Sequence, residues 1–232
     1  MFIKQFRYSR DNLGYLIFSG THGIAIDGGN VGGILDFALT NDIQIKYVTN
    51  THLHQDHTVG NKALLERTNA QFIDSSRVVP GQIITLGDED LEIIPTPGHT
   101  QDSVCFKAGD FLVTGDTLFN GTVGNCFSGD LSGFFRSLKV LIAFPGETKI
   151  YSGHDYVLES LKIAADIEKD NPDIGPYLQK YDPSLVVSTL ADELKINPYI
   201  RFNALSMIHR LEEKKMPCST EEERFFSIME IY

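Results

Sequence analysis

Two rhythms of apolar and polar residues divide the chain. Through the first two-thirds, short apolar runs alternate with Gly-, Asn- and Asp-rich breaks, the pattern of strands bounded by tight turns. NLGYLIFSG and THGIAID read as paired strands joined by a turn around Gly20, and Asp27-Gly28-Gly29 breaks the chain after them. GGILDFALTN predicts a helix. The alternation of Ile43, Ile45 and Tyr47 in IQIKYVTN predicts a strand that delivers the chain into Thr51. VGNKALLERTN predicts a second helix, and QFIDSS, IITLGDEDLEIIPT, SVCFKAG and DFLVTGD predict further strands. Asp130 is placed to cap the next helix, whose Leu131, Phe134, Phe135, Leu138, Leu141 and Ile142 share one face before Pro145 stops the run. TKIYSGH predicts a last strand, with VLESLKIAADIEKD as a helix behind it.

After Asn171-Pro172 the strand signals fade. The remainder reads as helical, punctuated by Pro172, Pro176, Pro183, Pro198 and Pro217, with Thr220 and Glu223 as a capping box for the final helix. This change predicts a first domain over residues 1–167 and a helical segment over 168–232. Strands interleaved with helices, many of them joined by hairpin signals, predict an α/β sandwich in which helices cover mixed sheets.

Composition and charge narrow the function classes. Hydrophobic residues make up 42% of the chain, a globular value. No apolar run approaches the roughly 18–20 residues that span a bilayer. The N-terminal MFIKQFRYSRDNLGY lacks the apolar core of a secretory signal, so a cytoplasmic location is expected. Cys105, Cys126 and Cys218 lie far apart without CxxC spacing, which predicts free thiols. The formal net charge is −11 and basic residues form no stripe, which argues against a nucleic-acid partner.

The chemistry concentrates in THLHQDH, Thr51 to His57. An extended continuation of the preceding strand puts His52 and His54 on one side, where two imidazoles can share a metal ion. Asp56 and His57 follow where the chain turns into a helix, and so face elsewhere, toward a second ion. Two coordination spheres need ligands from other strand ends, and the sequence supplies His99 in PTPGHT, Asp116 in FLVTGDT and His154 in IYSGHDY. A glycine precedes each of these three, where the backbone must bend to present the side chain. Imidazole with carboxylate suits zinc, iron or manganese. His22 and His209 have no such setting and are expected to be ordinary histidines. Ser103, Ser128 and Ser152 sit in no nucleophile motif.

THLHQDH, PTPGHT, GDTLF and GHDY together resemble the metallo-β-lactamase superfamily over about residues 10 to 165. The resemblance implies an αββα sandwich carrying two divalent metal ions, zinc foremost, at one edge. It implies that His52, His54 and His99 hold the first metal, that Asp56, His57 and His154 hold the second, and that Asp116 bridges both. Within the superfamily the chain is most similar to glyoxalase II, the hydroxyacylglutathione hydrolases. That similarity implies a small-molecule thioester substrate, cleaved by a hydroxide bridging the metals, with Asp56 and Asp116 in the catalytic centre. It also implies that the helical segment covers the substrate cleft, and that Tyr156, Arg201 and Asn125 contact substrate. Asn125 stands where the family usually carries a base, Asp102 where it usually has a glycine, and a second cation after Arg201 is missing from Phe202-Asn203-Ala204. The same motifs resemble persulfide dioxygenases, which imply one iron on His52, His99 and Asp116; hydrolysis of another ester, a lactone or a β-lactam is a further alternative on this centre.

Overall fold

Two mixed β-sheets form the centre of the structure, a computed structural model that describes residues 1–231. The first sheet runs β1 (Phe2–Tyr8), β2 (Asn12–Ser19), β3 (His22–Ile26), β4 (Gln44–Thr49) and β5 (Gln71–Ile73), antiparallel through β3 and parallel from there. The second contains β6 (Gln82–Leu86), β7 (Glu89–Pro95), β8 (Val104–Ala108), β9 (Phe111–Gly115), β10 (Lys149–Ser152) and β11 (Ser188–Thr189), side by side in that order. The sheets pack face to face. Leu13, Tyr15 and Ile17 of β2 meet Ile93, Phe106 and Val113 in one buried cluster, while Leu16 points the other way, as alternation along a strand requires.

Helices cover both outer faces. On the first sheet, α1 (Val31–Thr40) and α3 (Asn61–Arg67) bury Ile34, Ala38 and Leu64 against Leu16, Ala25 and Val48; the short α2 (Gln55–Thr58) precedes α3. On the second sheet, α4 (Leu131–Leu141) buries Phe134, Leu138 and Leu141 against Cys105, Leu112 and Ile150. Asp130 caps it, accepting from Gly133 N at 2.7 Å. The α5 helix (Val157–Ile167) follows β10, and its Val157, Leu161 and Ala164 join the cluster between the sheets. The expected αββα sandwich is therefore present.

The segment beyond Ile167 forms α6 (Ile174–Lys180), β11, α7 (Leu190–Ile196), α8 (Leu205–Glu213) and α9 (Glu221–Ile231). The capping box is there: Thr220 Oγ1 accepts from Glu223 N, and Glu223 Oε2 accepts from Thr220 N, each at 3.1 Å. The described residues of this segment pack into the sandwich's own clusters. Ile174, Tyr177, Val186 and Ile196 enter the cluster between the sheets; Phe202, Met207, Leu211, Phe225 and Ile228 enter the one beneath α4. β11 pairs antiparallel with β10 and extends the second sheet. A two-residue strand carries no periodic signature, and for that reason the sequence reads the segment as helical alone. Among the described residues, no helix is long and apolar enough to cross a membrane.

The β4 alternation breaks at one point. Gly23 pairs with Ile45 but Ile24 pairs with Tyr47, so Lys46 is an extra residue, a bulge. Ile43 and Ile45 face the outer helices, whereas Tyr47 is turned to the cluster between the sheets.

Candidate metal centre

β7 is antiparallel to β8, β8 to β9, and β9 is parallel to β10. The strands β7, β9 and β10 therefore run the same way, and the loops that follow them carry His99, Asp116 and His154 to one edge of the second sheet. The loop after β4 brings His52, His54, Asp56 and His57 to the same edge from the first sheet. Backbone bonds lock the two sheets together there: Leu13 N donates to Gly153 O, and Val104 N to Thr51 O, each at 2.8 Å. Asp102 Oδ2 accepts from Leu53 N at 2.8 Å and pins the histidine loop.

All seven predicted residues converge, in two groups. His54 Nδ1 lies 2.9 Å from His52 Nε2 and 3.1 Å from His99 Nε2. His154 Nε2 lies 3.2 Å from His57 Nε2 and 3.3 Å from Asp56 Oδ2. Asp116 sits between the groups: Oδ2 is 3.6 Å from His99 Nε2, 3.5 Å from His154 Nε2 and 4.0 Å from His52 Nε2, and Oδ1 is 3.4 Å from His57 Nε2. Asp56 occupies the interior of α2, so it is not that helix's N-cap; His54 holds that position.

These spacings fit metal ions. Donor atoms about 2.0–2.1 Å from a shared ion stand roughly 2.9–3.4 Å apart for angles of about 90–110°, and the imidazole nitrogens here are 2.9–3.2 Å apart. Asp116 Oδ1 is buried and accepts no hydrogen bond, a costly arrangement for a carboxylate oxygen unless a cation faces it.

Outer partners orient the rings. His57 Nδ1 faces Asp27 Oδ2 at 2.9 Å, His99 Nδ1 faces the Asn125 carbonyl at 2.9 Å, His154 Nδ1 faces Asp11 Oδ1 at 3.1 Å, and His52 Nδ1 faces Thr51 Oγ1 at 3.1 Å. A carboxylate or carbonyl partner makes Nδ1 the donor and leaves the Nε2 lone pair turned into the centre. Asn12 Nδ2 donates to Asp56 Oδ2 at 3.0 Å. Burial, reinforced by the neighbouring His57, lowers the His52 pKa to about 4 and keeps the ring neutral. Burial also pulls His99 down. It would raise Asp116, but the His57, His154 and His52 imidazoles outweigh it and hold the carboxyl well below its usual range. For His57 burial is likewise outweighed, by Asp27 and Asp116, and its pKa stands well above the ordinary imidazole value.

The glycines before the ligands act in different ways. Gly115 has a left-handed φ of 50°, which lets β9 turn sharply into Asp116. At Gly153 the reason is space: a Cβ there would lie 2.2 Å from Asp116 Oδ1 and 2.9 Å from His57 Cε1.

The profile of the Metallo-beta-lactamase superfamily matches residues 11–73 and 74–154. The chain belongs to this superfamily. It is 32% identical to the hydroxyacylglutathione hydrolase of Pelagibacter ubique over 237 aligned positions, covering 93% of this chain and 99% of that one. It is also 32% identical to the hydroxyacylglutathione hydrolase of Aeromonas salmonicida, covering 94% and 93%. Among solved structures, ETHE1 from Myxococcus xanthus superposes with a TM-score of 0.74 at 27% identity, over 100% of this chain and 91% of that one. Within the superfamily the chain thus stands close to glyoxalase II.

As the superfamily fold leads one to expect, a cleft of about 500 Å³ opens beside the histidines and is lined by His54, Asp56, His99, Asp116 and His154. Tyr156 lines it too; its ring stacks on His154, with centroids 4.9 Å apart and planes 7° from parallel. Burial pushes its hydroxyl up to about 12, so it stays a neutral donor. Asn125 and Phe127 line the cleft as well.

Arg201 is not in this cleft. Its guanidinium pairs with the buried Glu168, Nε to Oε2 at 2.8 Å and Nη2 to Oε1 at 3.1 Å, and Nη1 donates to the Leu194 carbonyl at 3.0 Å. It lines a separate cavity of about 370 Å³ with His209 and Arg210. The expected substrate contact is thereby corrected to a structural tie between the α5–α6 connection and the chain after α7. Conversely, sequence reasoning missed Asp27, Asp11 and Asn12. Asp27 lay in a stretch legible only as a turn, which its φ of 51° confirms it to be.

Proposed function

We propose that the chain is a metal-dependent hydrolase of acyl thioesters, of glyoxalase II type, working with two divalent ions. The observation that carries this reading is the place of Asp116, with one carboxylate oxygen toward His57 and the other toward His99 and His154. In this reading His52, His54 and His99 hold one ion, Asp56, His57 and His154 hold the other, and Asp116 touches both. The donors suit zinc, with iron and manganese as the other fits. When bound, such ions lower the pKa of a water to about 7 and polarise a thioester carbonyl. The names of the relatives support a thioester as the bond that is cut.

The chain's own residues do the rest. Asp116 and the outer partners fix both ligand groups at one spacing before substrate arrives. Asp56, half exposed and lining the cleft, stands where it can accept a proton from water. Tyr156 offers its neutral hydroxyl to the substrate, and Phe119, Tyr199 and Met229 shield the reacting bond from bulk water. Tyr199 and Met229 come from the helical segment 168–232, to which we assign the cleft-covering role; its last residue, Tyr232, lies outside the described residues.

The decisive experiment combines elemental analysis with an acyl-thioester panel that includes S-D-lactoylglutathione. Two ions per chain, cleavage of a thioester and loss of activity on metal removal are expected. Failure to cleave any thioester would sink the reading. The single-iron persulfide alternative would use His52, His99 and Asp116, leaving the buried His57–His154 pair and Asp56 without a shared partner; one iron per chain with oxygen uptake on glutathione persulfide would favour it.

A further inference from the structure

The wall of the cleft away from the metal-facing residues has a definite chemistry. Phe119, Val123, Phe127, Ile163, Tyr199 and Met229 make it apolar and aromatic. One face of α5 adds Ser160 and Ile163, with Glu159 between Tyr156 and Ile163, because positions three and four apart on a helix are neighbours. Among the described residues lining the cleft, Glu159 supplies the only formal charge outside the metal-facing group, and lysine and arginine supply none.

We infer that the thioester this cleft takes is carried on a thiol whose arm is uncharged or cationic, rather than on one bearing carboxylates. The inference rests on the thioester reading above and adds the class of the carrier. Glutathione brings two carboxylates and one ammonium, a net negative arm. In this cleft those carboxylates find only neutral donors, from Thr122, Asn125, Tyr156 and Ser160, and no cation, and they meet the Glu159 carboxylate as a like charge. An amide-bearing neutral arm loses little on the same surface. A quaternary ammonium gains more, from the Glu159 carboxylate and from the exposed ring of Phe127.

The test uses one acyl group, propionyl, on three thiols: glutathione, N-acetylcysteamine and thiocholine. With the metal-loaded wild-type protein, kcat/KM for the glutathione ester is expected to fall about tenfold or more below both others. Glu159→Gln is expected to shrink the advantage of the thiocholine ester over the N-acetylcysteamine ester about two- to fivefold, through KM, as an exposed charge pair allows. Glu159→Lys is expected to move the order toward glutathione. S-butyl thioethers of the same thiols, titrated by calorimetry, should bind in the same order without any turnover. A glutathione ester that is fastest, or ratios indifferent to Glu159, overturns the carrier assignment alone. If none of the esters is cleaved, the thioester reading fails, and the thioether ranking still decides which arm the cleft prefers.

Discussion

His57 and Asp27 form a fully buried pair, Nδ1 donating to Oδ2 across 2.9 Å. Asp27 in turn accepts from Thr51 N at 2.8 Å and Thr51 Oγ1 at 2.7 Å, so one carboxylate sets both the His57 ring and the start of the histidine loop. Asp27→Asn keeps the volume but removes the charge that fixes the His57 tautomer. Metal affinity is expected to fall about 10- to 100-fold, the usual cost of losing such an outer partner. Competition against a chromogenic chelator measures it, and unchanged affinity would show that Asp27 serves only the loop.

Gly153 tests the crowding at the centre. Its absent Cβ is the space that Asp116 Oδ1 and the His57 ring occupy. Gly153→Ala is expected to displace both, with the fold kept and the second ion lost. Displacements of this size cost about a hundredfold in rate. Circular dichroism and ions counted per chain separate that outcome from simple unfolding.

Glu193 of α7 makes stability depend on pH. Its side chain is fully buried, and Oε2 accepts from Gly121 N at 2.8 Å and Asn197 Nδ2 at 3.0 Å. Burial raises its pKa from 4.5 to about 7, against the lowering by Ser188, Gly121 and Asn197. Between those values the folded state holds a proton that the unfolded chain has released. The stability this contributes is full below about pH 4.5 and is lost as pH rises through 7, a change of about 3 kcal/mol. Glu193→Gln removes the dependence. Urea unfolding at pH 5 and pH 8 should show the variant gaining on the wild type at the higher pH; parallel pH dependence in the two proteins would refute it.

The seven converging residues were legible because each sits in a short motif at or just after a strand end, where local sequence reports local geometry. Their partners were not. Asp27, Asp11 and Asn12 are common residue types brought in from elsewhere in the fold, and nothing nearby in sequence marks them as facing a histidine. The edge strand β1 carries only a weak signal, because Lys4 and Arg7 interrupt FIKQFRY and Phe6 alone in it is buried. Tyr47 was legible as strand but not as facing the core between the sheets, because one bulge residue reverses every side chain after it. Asp102, a departure from the glyoxalase II pattern, has local work for its side chain, which holds Leu53 N; Asn125 meets His99 only through its backbone carbonyl, which any residue there would supply.

Arg201 separates position in a sequence pattern from position in space. Its order along the chain suggests a substrate contact, yet its guanidinium is spent on Glu168, which also accepts from Ser206 Oγ at 2.5 Å. Only 4% of the Glu168 side chain is exposed, so removing the arginine strands a buried charge. Arg201→Ala is expected to cost about 3–5 kcal/mol of stability, as broken buried pairs do. Activity per folded molecule and KM should stay at the wild-type values. Adding Glu168→Gln to that variant should recover part of the loss, because it removes the stranded charge as well. Denaturant midpoints for the single and double variants, with KM on the best thioester, decide the matter. A raised KM at unchanged stability would put Arg201 back in contact with substrate.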